Sequence, residues 1–188
     1  MPKFNNKENK SVKTEDGRTV WLSRSCAVVI TTLWVTPYGE ARDHLERTKV
    51  LLVKRSNNDY NEPGRWCLPC GFLDYNETLY EAALRETYEE TGIYIPDFTG
   101  ISSEGDHQPW KVHSGLDDTM SNVSHHFGFI IPYEKEPTFH VSEKEIECAR
   151  LVPVKGIRDY DIAFNHTMRI MQFININERR IMCLAQGR

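Results

Sequence analysis

Three glutamates, Glu86, Glu89 and Glu90, stand at positions i, i+3 and i+4 of a segment rich in helix-forming residues. At that spacing their side chains share one face of an α-helix. Like charges placed in this way repel one another, by roughly 0.2–0.5 kcal/mol for each exposed pair. Arg85 is one counter-charge, and a hard divalent cation such as Mg²⁺ or Mn²⁺ is the natural partner of clustered carboxylate oxygens. The spacing therefore indicates a metal-binding helix face, and a solvated acidic face is the alternative.

The segment around these glutamates, residues 71–93, reads GFLDYNETLYEAALRETYEETGI. It resembles the Nudix box of the Nudix hydrolase superfamily, whose pattern is G-x5-E-x7-R-E-U-x-E-E-x-G-U, where U is a bulky aliphatic residue. Every fixed residue of that pattern is present. Thr87 replaces the usual aliphatic residue, and Cys70 stands where a second glycine often precedes the box. Neither departure removes a chemical group that the reaction needs.

The resemblance implies a metal-dependent hydrolase that cleaves the diphosphate bond of a nucleoside diphosphate linked to another moiety. Carried over by position, the metal ligands are Glu86, Glu90 and the Gly71 carbonyl, and Glu89 is a ligand or the catalytic base. Arg85 is expected to orient these carboxylates and to pair with Glu77, which is a supporting role. Some members take their base from a distant loop, and for that role the chain offers Glu143 and Glu145.

Substrate contacts are expected from side chains outside the box. Arg55 and Arg24 are candidates for phosphate binding, because the guanidinium fork fits phosphate oxygens, although a plain surface role is the alternative. Trp110 is a candidate for stacking on a base. Pro109 follows Ile93 at a spacing similar to that in ADP-ribose pyrophosphatases of the family. We therefore expect an ADP-ribose-like substrate.

Two other functions remain open on this evidence. A house-cleaning pyrophosphatase of modified nucleoside triphosphates would use the same chemistry on another leaving group. A non-catalytic Nudix sensor would bind a nucleotide without turnover. Such sensors often lack box glutamates, whereas this chain retains all of them. The resemblance also allows a homodimer, since many members dimerise.

The elements that must position the box are visible in the sequence. Thr78 and Glu81 fit a capping box that begins a helix, and Gly92 is a suitable residue to end it. Residues 26–35 and 49–55 are dense in β-branched and apolar residues and predict buried strands that pair with each other. Residues 123–132 and 146–154 predict two more strands, 93–101 predicts extended structure, and 102–122 predicts one long loop. Residues 159–175 predict an amphipathic C-terminal helix.

This order of elements favours an α/β fold. The resemblance specifies it as a Nudix α/β/α sandwich, with a mixed, curved sheet between the box helix and the C-terminal helix. We expect residues 1–18 to form a flexible N-terminal arm and residues 19–188 to form a single Nudix domain.

Composition excludes several classes of protein. The chain of 188 residues has 27 acidic and 23 basic side chains and a net charge of −4, which argues against binding to polymeric nucleic acid. The sequence has no run of 18 apolar residues, so it predicts no membrane span. The polar N-terminus lacks the apolar segment of a signal peptide. Five cysteines without such a signal favour free thiols in a reducing cytoplasm. The expected partner is a small-molecule nucleotide.

Overall fold

A mixed β-sheet between two helices organises the chain, of which the computed structural model describes residues 3, 10–21, 26–37, 44–59, 61–98, 102–103, 107–116, 121–141 and 144–187. Short 3-10 helices lie at His44–Arg47, Ile95–Asp97 and Val154–Asp159. The strands and helices, in chain order, are β1 (Ser11–Lys13), β2 (Thr19–Trp21), β3 (Cys26–Val35), β4 (Thr48–Arg55), β5 (Trp66–Cys67), β6 (Cys70–Phe72), α1 (Leu79–Thr91), β7 (Ser102–Ser103), β8 (Lys111–Leu116), β9 (Ser121–Pro132), β10 (Ile146–Pro153) and α2 (His166–Ala185).

Strand β3 is the centre of the sheet. The strand order is β10-β4-β3-β9-β7, with β5 paired to β4, β6 paired to β3 and β8 paired to β9. Strand β3 runs parallel to β9 along its whole length and antiparallel to β4 and β6. The parallel pair makes the sheet mixed, as predicted. Because β6 pairs directly with β3, the glycine that opens the box is fixed to a strand in which nine of the ten residues are buried.

Each face of the sheet packs against one helix. Successive residues of a strand point to opposite faces, so Val28 and Ile30 join the core under α1, whereas Val29 and Leu33 join the core under α2. Ala82 and Ala83 cover the first core, and Ile170 is one of the α2 residues that cover the second. These layers confirm the predicted α/β/α sandwich.

Helix α1 has the capping that the sequence predicts. Thr78 Oγ1 accepts a hydrogen bond from the Glu81 backbone N–H at 3.2 Å, and Glu81 Oε2 accepts one from the Thr78 N–H at 2.8 Å. The left-handed Gly92 (φ 75°) ends the helix and donates its N–H to the Tyr88 carbonyl. Thr87 is fully buried, and its hydroxyl donates to the Ala83 carbonyl at 2.8 Å. The unusual polar residue of the box therefore leaves no unmet hydrogen bond at this position.

Several predicted boundaries are wrong. Residues 93–98 contain a 3-10 helix and no strand, because Pro96 removes a backbone donor that a strand would use. The segment predicted as one loop, 102–122, contains β7 and β8, which both pair with β9. Helix α2 begins at His166, seven residues later than predicted, and extends to Ala185.

The N-terminal hairpin lies within and just beyond the predicted arm. Residues 11–13 pair with 19–21 as a separate two-stranded sheet. The boundary between an arm at 1–18 and a domain at 19–188 stays a prediction. Within the part of the chain that the structure describes, neither helix is long and apolar enough to span a membrane.

Candidate active site

Arg85 lies at the centre of the carboxylate cluster. Its Nε and Nη2 donate to Oε2 and Oε1 of Glu77 at 3.0 and 2.7 Å. Its Nη1 donates to Glu86 at 2.7 Å and to Glu89 at 3.0 Å, and Nη2 also reaches the Phe72 carbonyl at 3.0 Å. The Arg85 side chain is only 4% exposed. One buried guanidinium therefore fixes three carboxylates, and the predicted pair of Arg85 and Glu77 is present.

Glu77 is oriented from two sides. Besides the two bonds from Arg85, its Oε1 accepts the backbone N–H of Asp74 at 2.7 Å. The Glu77 side chain is 3% exposed. This loop between β6 and α1 therefore closes on a buried ion pair, and the closure fixes where α1 begins relative to the sheet.

Two other contacts join the helix to strand β6. The Cys70 backbone N–H donates to Glu90 Oε2 at 3.1 Å. The Glu86 carboxylate lies so close to Gly71 that a Cβ atom there would collide with it. Only glycine permits this approach of backbone and carboxylate. The Gly71 backbone and the Glu86 and Glu90 side chains therefore meet between β6 and α1.

Burial makes the Glu86 carboxylate hard to ionise. It raises the pKa of Glu86 to about 7; the Arg85 guanidinium opposes the shift, and the charges of Glu89 and Glu145 add to it. Glu89 is different, since half of its side chain is exposed. Helix α1 thus presents one buried carboxylate, Glu86, and one half-exposed carboxylate, Glu89, and both accept hydrogen bonds from Arg85.

Glu90 is shielded even more completely. Burial is the largest cause that raises the pKa of Glu90 well above the usual range, and the nearby Cys70 and Glu86 side chains add to the rise. The hydrogen bond from the Cys70 N–H and the charge of Arg55 oppose it. A carboxylate with a raised pKa beside a like charge is stabilised by a cation.

The donor set fits a hard divalent cation in its chemistry, because carboxylate and carbonyl oxygens are the ligands that Mg²⁺ and Mn²⁺ prefer. Among the described residues, however, no three acidic, histidine or cysteine side chains already converge as a metal site. Glu86 is turned toward Arg85, and Glu90 toward the Cys70 N–H. Ligation would require these two carboxylates to exchange part of their present hydrogen bonds.

Glu145 and Arg55 lie beside the cluster. Glu145 is exposed, its carbonyl accepts the Ser56 N–H at 2.8 Å, and its charge acts on Glu86. Arg55 acts on Glu90, but its guanidinium already donates to Asp59 at 2.5 Å. The other two sequence candidates, Arg24 and Glu143, lie outside the described residues.

Trp110 is placed apart from the carboxylates. Its indole packs into the core under α2, with ring centroids 5.4 Å from Phe173 and 5.9 Å from His126. The expected stacking of this ring on a substrate base stays a prediction.

Backbone groups are the part of the site that sequence reasoning missed. The Cys70 and Asp74 N–H groups and the Phe72 carbonyl have no residue-type signature, so no pattern of side chains could have identified them. His166 was also missed: it is 3% exposed, and its Nδ1 accepts the Leu68 N–H at 3.1 Å. Its position directly after Asn165, within the A-F-N-H sequence, was the available signal.

Comparison with known proteins adds a family to this geometry. A family model described as the NUDIX domain matches residues 41–169. The chain is 41% identical over 63 residues to the ADP-ribose pyrophosphatase of Methanocaldococcus jannaschii, covering 32% of this chain and 36% of the relative. It is 35% identical over 86 residues to the uncharacterized Nudix hydrolase YvcI of Bacillus subtilis, covering 40% and 51%. The matches thus span about a third to a half of these relatives.

Solved structures agree on the fold. The NUDIX domain of Shewanella oneidensis NrtR, in a complex with ADP ribose, superposes with a TM-score of 0.60 at 22% identity, covering 84% of this chain and 89% of that one. An Ap4A hydrolase of C. elegans gives a TM-score of 0.62 at 14% identity, covering 83% and 99%.

Proposed function

Since this chain belongs to the Nudix family, we propose that it is a metal-dependent hydrolase of the diphosphate bond in a nucleoside diphosphate linked to another moiety. The observation that supports this most directly is the arrangement of Glu86, Glu89 and Glu90 around Arg85, next to the Gly71 backbone. A solvated acidic helix face would not need a buried guanidinium with five hydrogen bonds to acceptors on the helix, on the loop before it and on strand β6.

In this proposal Glu86, Glu90 and the Gly71 carbonyl hold Mg²⁺ or Mn²⁺, and Glu89 is a further ligand or the base. When bound, the cation neutralises the diphosphate charge and lowers the pKa of the attacking water. Arg85 positions the carboxylates, and the Cys70 N–H holds Glu90 in place. Glu89 and Glu145 are the two candidates for accepting the proton of the water, because both carboxylates are accessible to solvent.

The substrate that we propose is ADP-ribose-like. Two comparisons support it: the relative from Methanocaldococcus jannaschii is named an ADP-ribose pyrophosphatase, and the NrtR domain was crystallised with ADP ribose. The guanidinium of Arg55 is proposed to contact a phosphate after releasing Asp59. A small nucleotide, with no membrane and no polymeric nucleic acid, is the proposed partner.

Turnover tests the proposal. The nucleoside monophosphate formed would be measured by chromatography for ADP-ribose, NADH, a dinucleoside polyphosphate, a nucleotide sugar and the common nucleoside triphosphates, with Mg²⁺, with Mn²⁺ and with EDTA. We expect metal-dependent turnover that is highest for ADP-ribose. Highest turnover of a triphosphate would refute the substrate, and turnover that persists in EDTA would refute the metal dependence.

A pair of variants tests the site. Glu90→Gln is expected to lower kcat by at least about a hundredfold, because the neutral amide is a poor metal ligand. Glu134→Gln, on the exposed loop after β9, is the matched control and should leave kcat unchanged. Full activity of Glu90→Gln would reject the site assignment.

A further inference from the structure

A second polar cluster lies on the other helix, on the α2 side of the sheet. It consists of His126 on β9, His166 and Arg169 in the first turn of α2, and Trp110 just before β8. His126 is 2% exposed, His166 is 3% exposed and Arg169 is 7% exposed. Buried polar groups in such a number need partners.

Two atoms of this cluster have no hydrogen-bond partner among the described residues. They are Nδ1 of His126 and Nε1 of Trp110, and both are buried. The two residues are adjacent: the Trp110 backbone N–H donates to the His126 carbonyl at 2.9 Å, and their ring centroids are 5.9 Å apart. The other ring nitrogen of His126 lies 3.4 Å from Ser124 Oγ. Such unmet groups are unusual in a protein interior and call for an explanation.

The charge of Arg169 is also unbalanced. Its Nη1 donates to the neutral amide of Gln172 at 3.3 Å, and it forms no ion pair with a carboxylate in the described part of the chain. The first turn of α2 has no acidic residue, and Asn165 makes no side-chain cap. A helix N-terminus is itself electropositive. Among the described residues, the positive charge of Arg169 therefore has no counter-ion.

The two histidines add no charge to the cluster. Burial lowers the pKa of His126 to about 4, and the Arg169 charge adds to the shift. Burial is the largest cause that lowers the pKa of His166 to about 3, and His126 and Arg169 add to the shift. Both rings are neutral at physiological pH, so the guanidinium remains the one fixed charge of the cluster.

The free groups are mainly donors. An indole N–H and a guanidinium donate and never accept, and a neutral imidazole adds one donor. A fixed positive charge beside unpaired N–H donors selects a negatively charged acceptor. We propose that Trp110, His126 and Arg169 form an oxyanion subsite, which binds a phosphate or carboxylate that an ADP-ribose-like substrate carries beyond the cleaved diphosphate and that ADP-ribose itself lacks. The role of the subsite in recognising a substrate rests on the proposed function, whereas its binding of an anion does not.

The subsite is connected to the carboxylate cluster through Arg55. The Arg55 guanidinium lies 5.3 Å from the centre of the Phe164 ring, and that ring lies 5.4 Å from the His166 ring. The Arg55 charge acts on both Glu90 and His166. These ring contacts join Arg55 to His166 in the first turn of α2, the turn that also contains Arg169.

Nuclear magnetic resonance tests the subsite without turnover. Sodium phosphate and sodium acetate would be titrated separately into ¹⁵N-labelled protein in EDTA, at constant ionic strength. We expect the indole N–H resonance of Trp110 to shift, whereas that of Trp34 stays, because Trp34 Nε1 is already bonded to Thr32 at 3.1 Å. Trp110→Phe assigns the resonance by its loss. The anion that binds more tightly identifies the group, phosphate or carboxylate.

Variants decide whether Arg169 is responsible. Arg169→Gln should weaken binding at least about tenfold, whereas Arg179→Gln, an exposed arginine of the same helix, should bind like the wild type. Arg169→Lys keeps the charge and loses the fork, so binding several-fold weaker is expected even if Arg169→Gln does not fold. No shift of Trp110, or an equal shift in Arg169→Gln and Arg169→Lys, would overturn the subsite.

Kinetics with substrate pairs tests its role. NADPH is compared with NADH, and UDP-glucuronate with UDP-glucose, because each pair differs by one phosphate or carboxylate. We expect one anionic member to be favoured at least about tenfold in kcat/KM, and the preference to be lost in Arg169→Gln. Anion binding without such a preference would overturn the proposed role of the subsite in recognising a substrate. Absence of all turnover would reject the proposed function, and the resonance shifts would still decide the subsite.

Discussion

Arg85 and Glu77 form a buried ion pair with two parallel hydrogen bonds, Nε–Oε2 at 3.0 Å and Nη2–Oε1 at 2.7 Å. The two side chains are 4% and 3% exposed. They are eight positions apart in the sequence, and Glu77 lies before the helix that contains Arg85. The pair therefore fixes the loop between β6 and α1 to the helix that presents the acidic cluster.

Glu77→Gln is expected to destabilise the protein by about 3–5 kcal/mol, because removing one partner leaves a buried charge incompletely compensated. The free energy of unfolding would be measured in urea. The matched control is Glu46→Gln, which removes the exposed bond to Lys155 at 2.7 Å and should change the stability by less than about 1 kcal/mol. Equal effects of the two variants would contradict a structural role of the Glu77 pair.

Gly71→Ala is expected to reduce activity at least about tenfold, because the added Cβ must displace the Glu86 carboxylate by a distance that catalytic geometry does not tolerate. Gly115→Ala is the control, since a Cβ at that strand position meets no neighbouring atom among the described residues. Both variants would be assayed for kcat and for their thermal midpoint. Wild-type kcat in Gly71→Ala would show that this approach is not needed for catalysis.

Metal affinity should rise with pH. The pKa of Glu86 is about 7 in the metal-free protein, so its carboxyl must lose a proton before it can bind a cation. This one group predicts an increase in affinity of about tenfold between about pH 6 and about pH 8. Calorimetric titration of Mn²⁺ in buffers of different ionisation enthalpy would measure both the affinity and the proton release. A pH-independent affinity would contradict the participation of Glu86.

His166 should make part of the stability sensitive to acid. Its pKa falls from 6.5 to about 3 on folding, so the unfolded state binds more protons between these values and the contribution is lost as the pH falls from about 6.5. Glu86 acts in the opposite sense, because its pKa is raised, and the test must therefore compare variants.

The stability difference between wild type and His166→Gln should shrink by about 2 kcal/mol between about pH 7.5 and about pH 5. Urea unfolding at both pH values would give this difference. His140→Asn, at an exposed histidine, should show no such change. A constant difference for His166→Gln would mean that the imidazole is not buried in its neutral form.

The catalytic base can be identified by comparing Glu89→Gln with Glu145→Gln. Loss of a general base lowers kcat by roughly a hundredfold or more, so we expect the two variants to differ in kcat by that factor. The base is the residue whose variant is less active while its Mn²⁺ affinity stays that of the wild type, because loss of a metal ligand would lower the affinity as well. Glu147→Gln is the control, because Glu147 pairs with Lys54 at an exposed position. Similar small losses in both variants would indicate that neither carboxylate is the base.

The sequence by itself determined the features that depend on near neighbours. Thr78, Glu81 and Gly92 set the bounds of α1, and the spacing of Glu86, Glu89 and Glu90 set the acidic face, because capping and helical periodicity act within three or four residues. The apolar runs of β3 and β4 were equally readable, since a strand buried on both faces is apolar throughout.

Only the tertiary structure decided how distant segments meet. The pairing of β8 with β9 has little signal, because β8 is exposed and polar. The bond from the Cys70 N–H to Glu90 and the close approach of Gly71 to Glu86 join residues that are 20 and 15 positions apart. Trp110 packs against Phe173, 63 positions later in the chain, because α2 covers that face of the sheet. Such contacts depend on packing between layers, which the local pattern of residues does not specify.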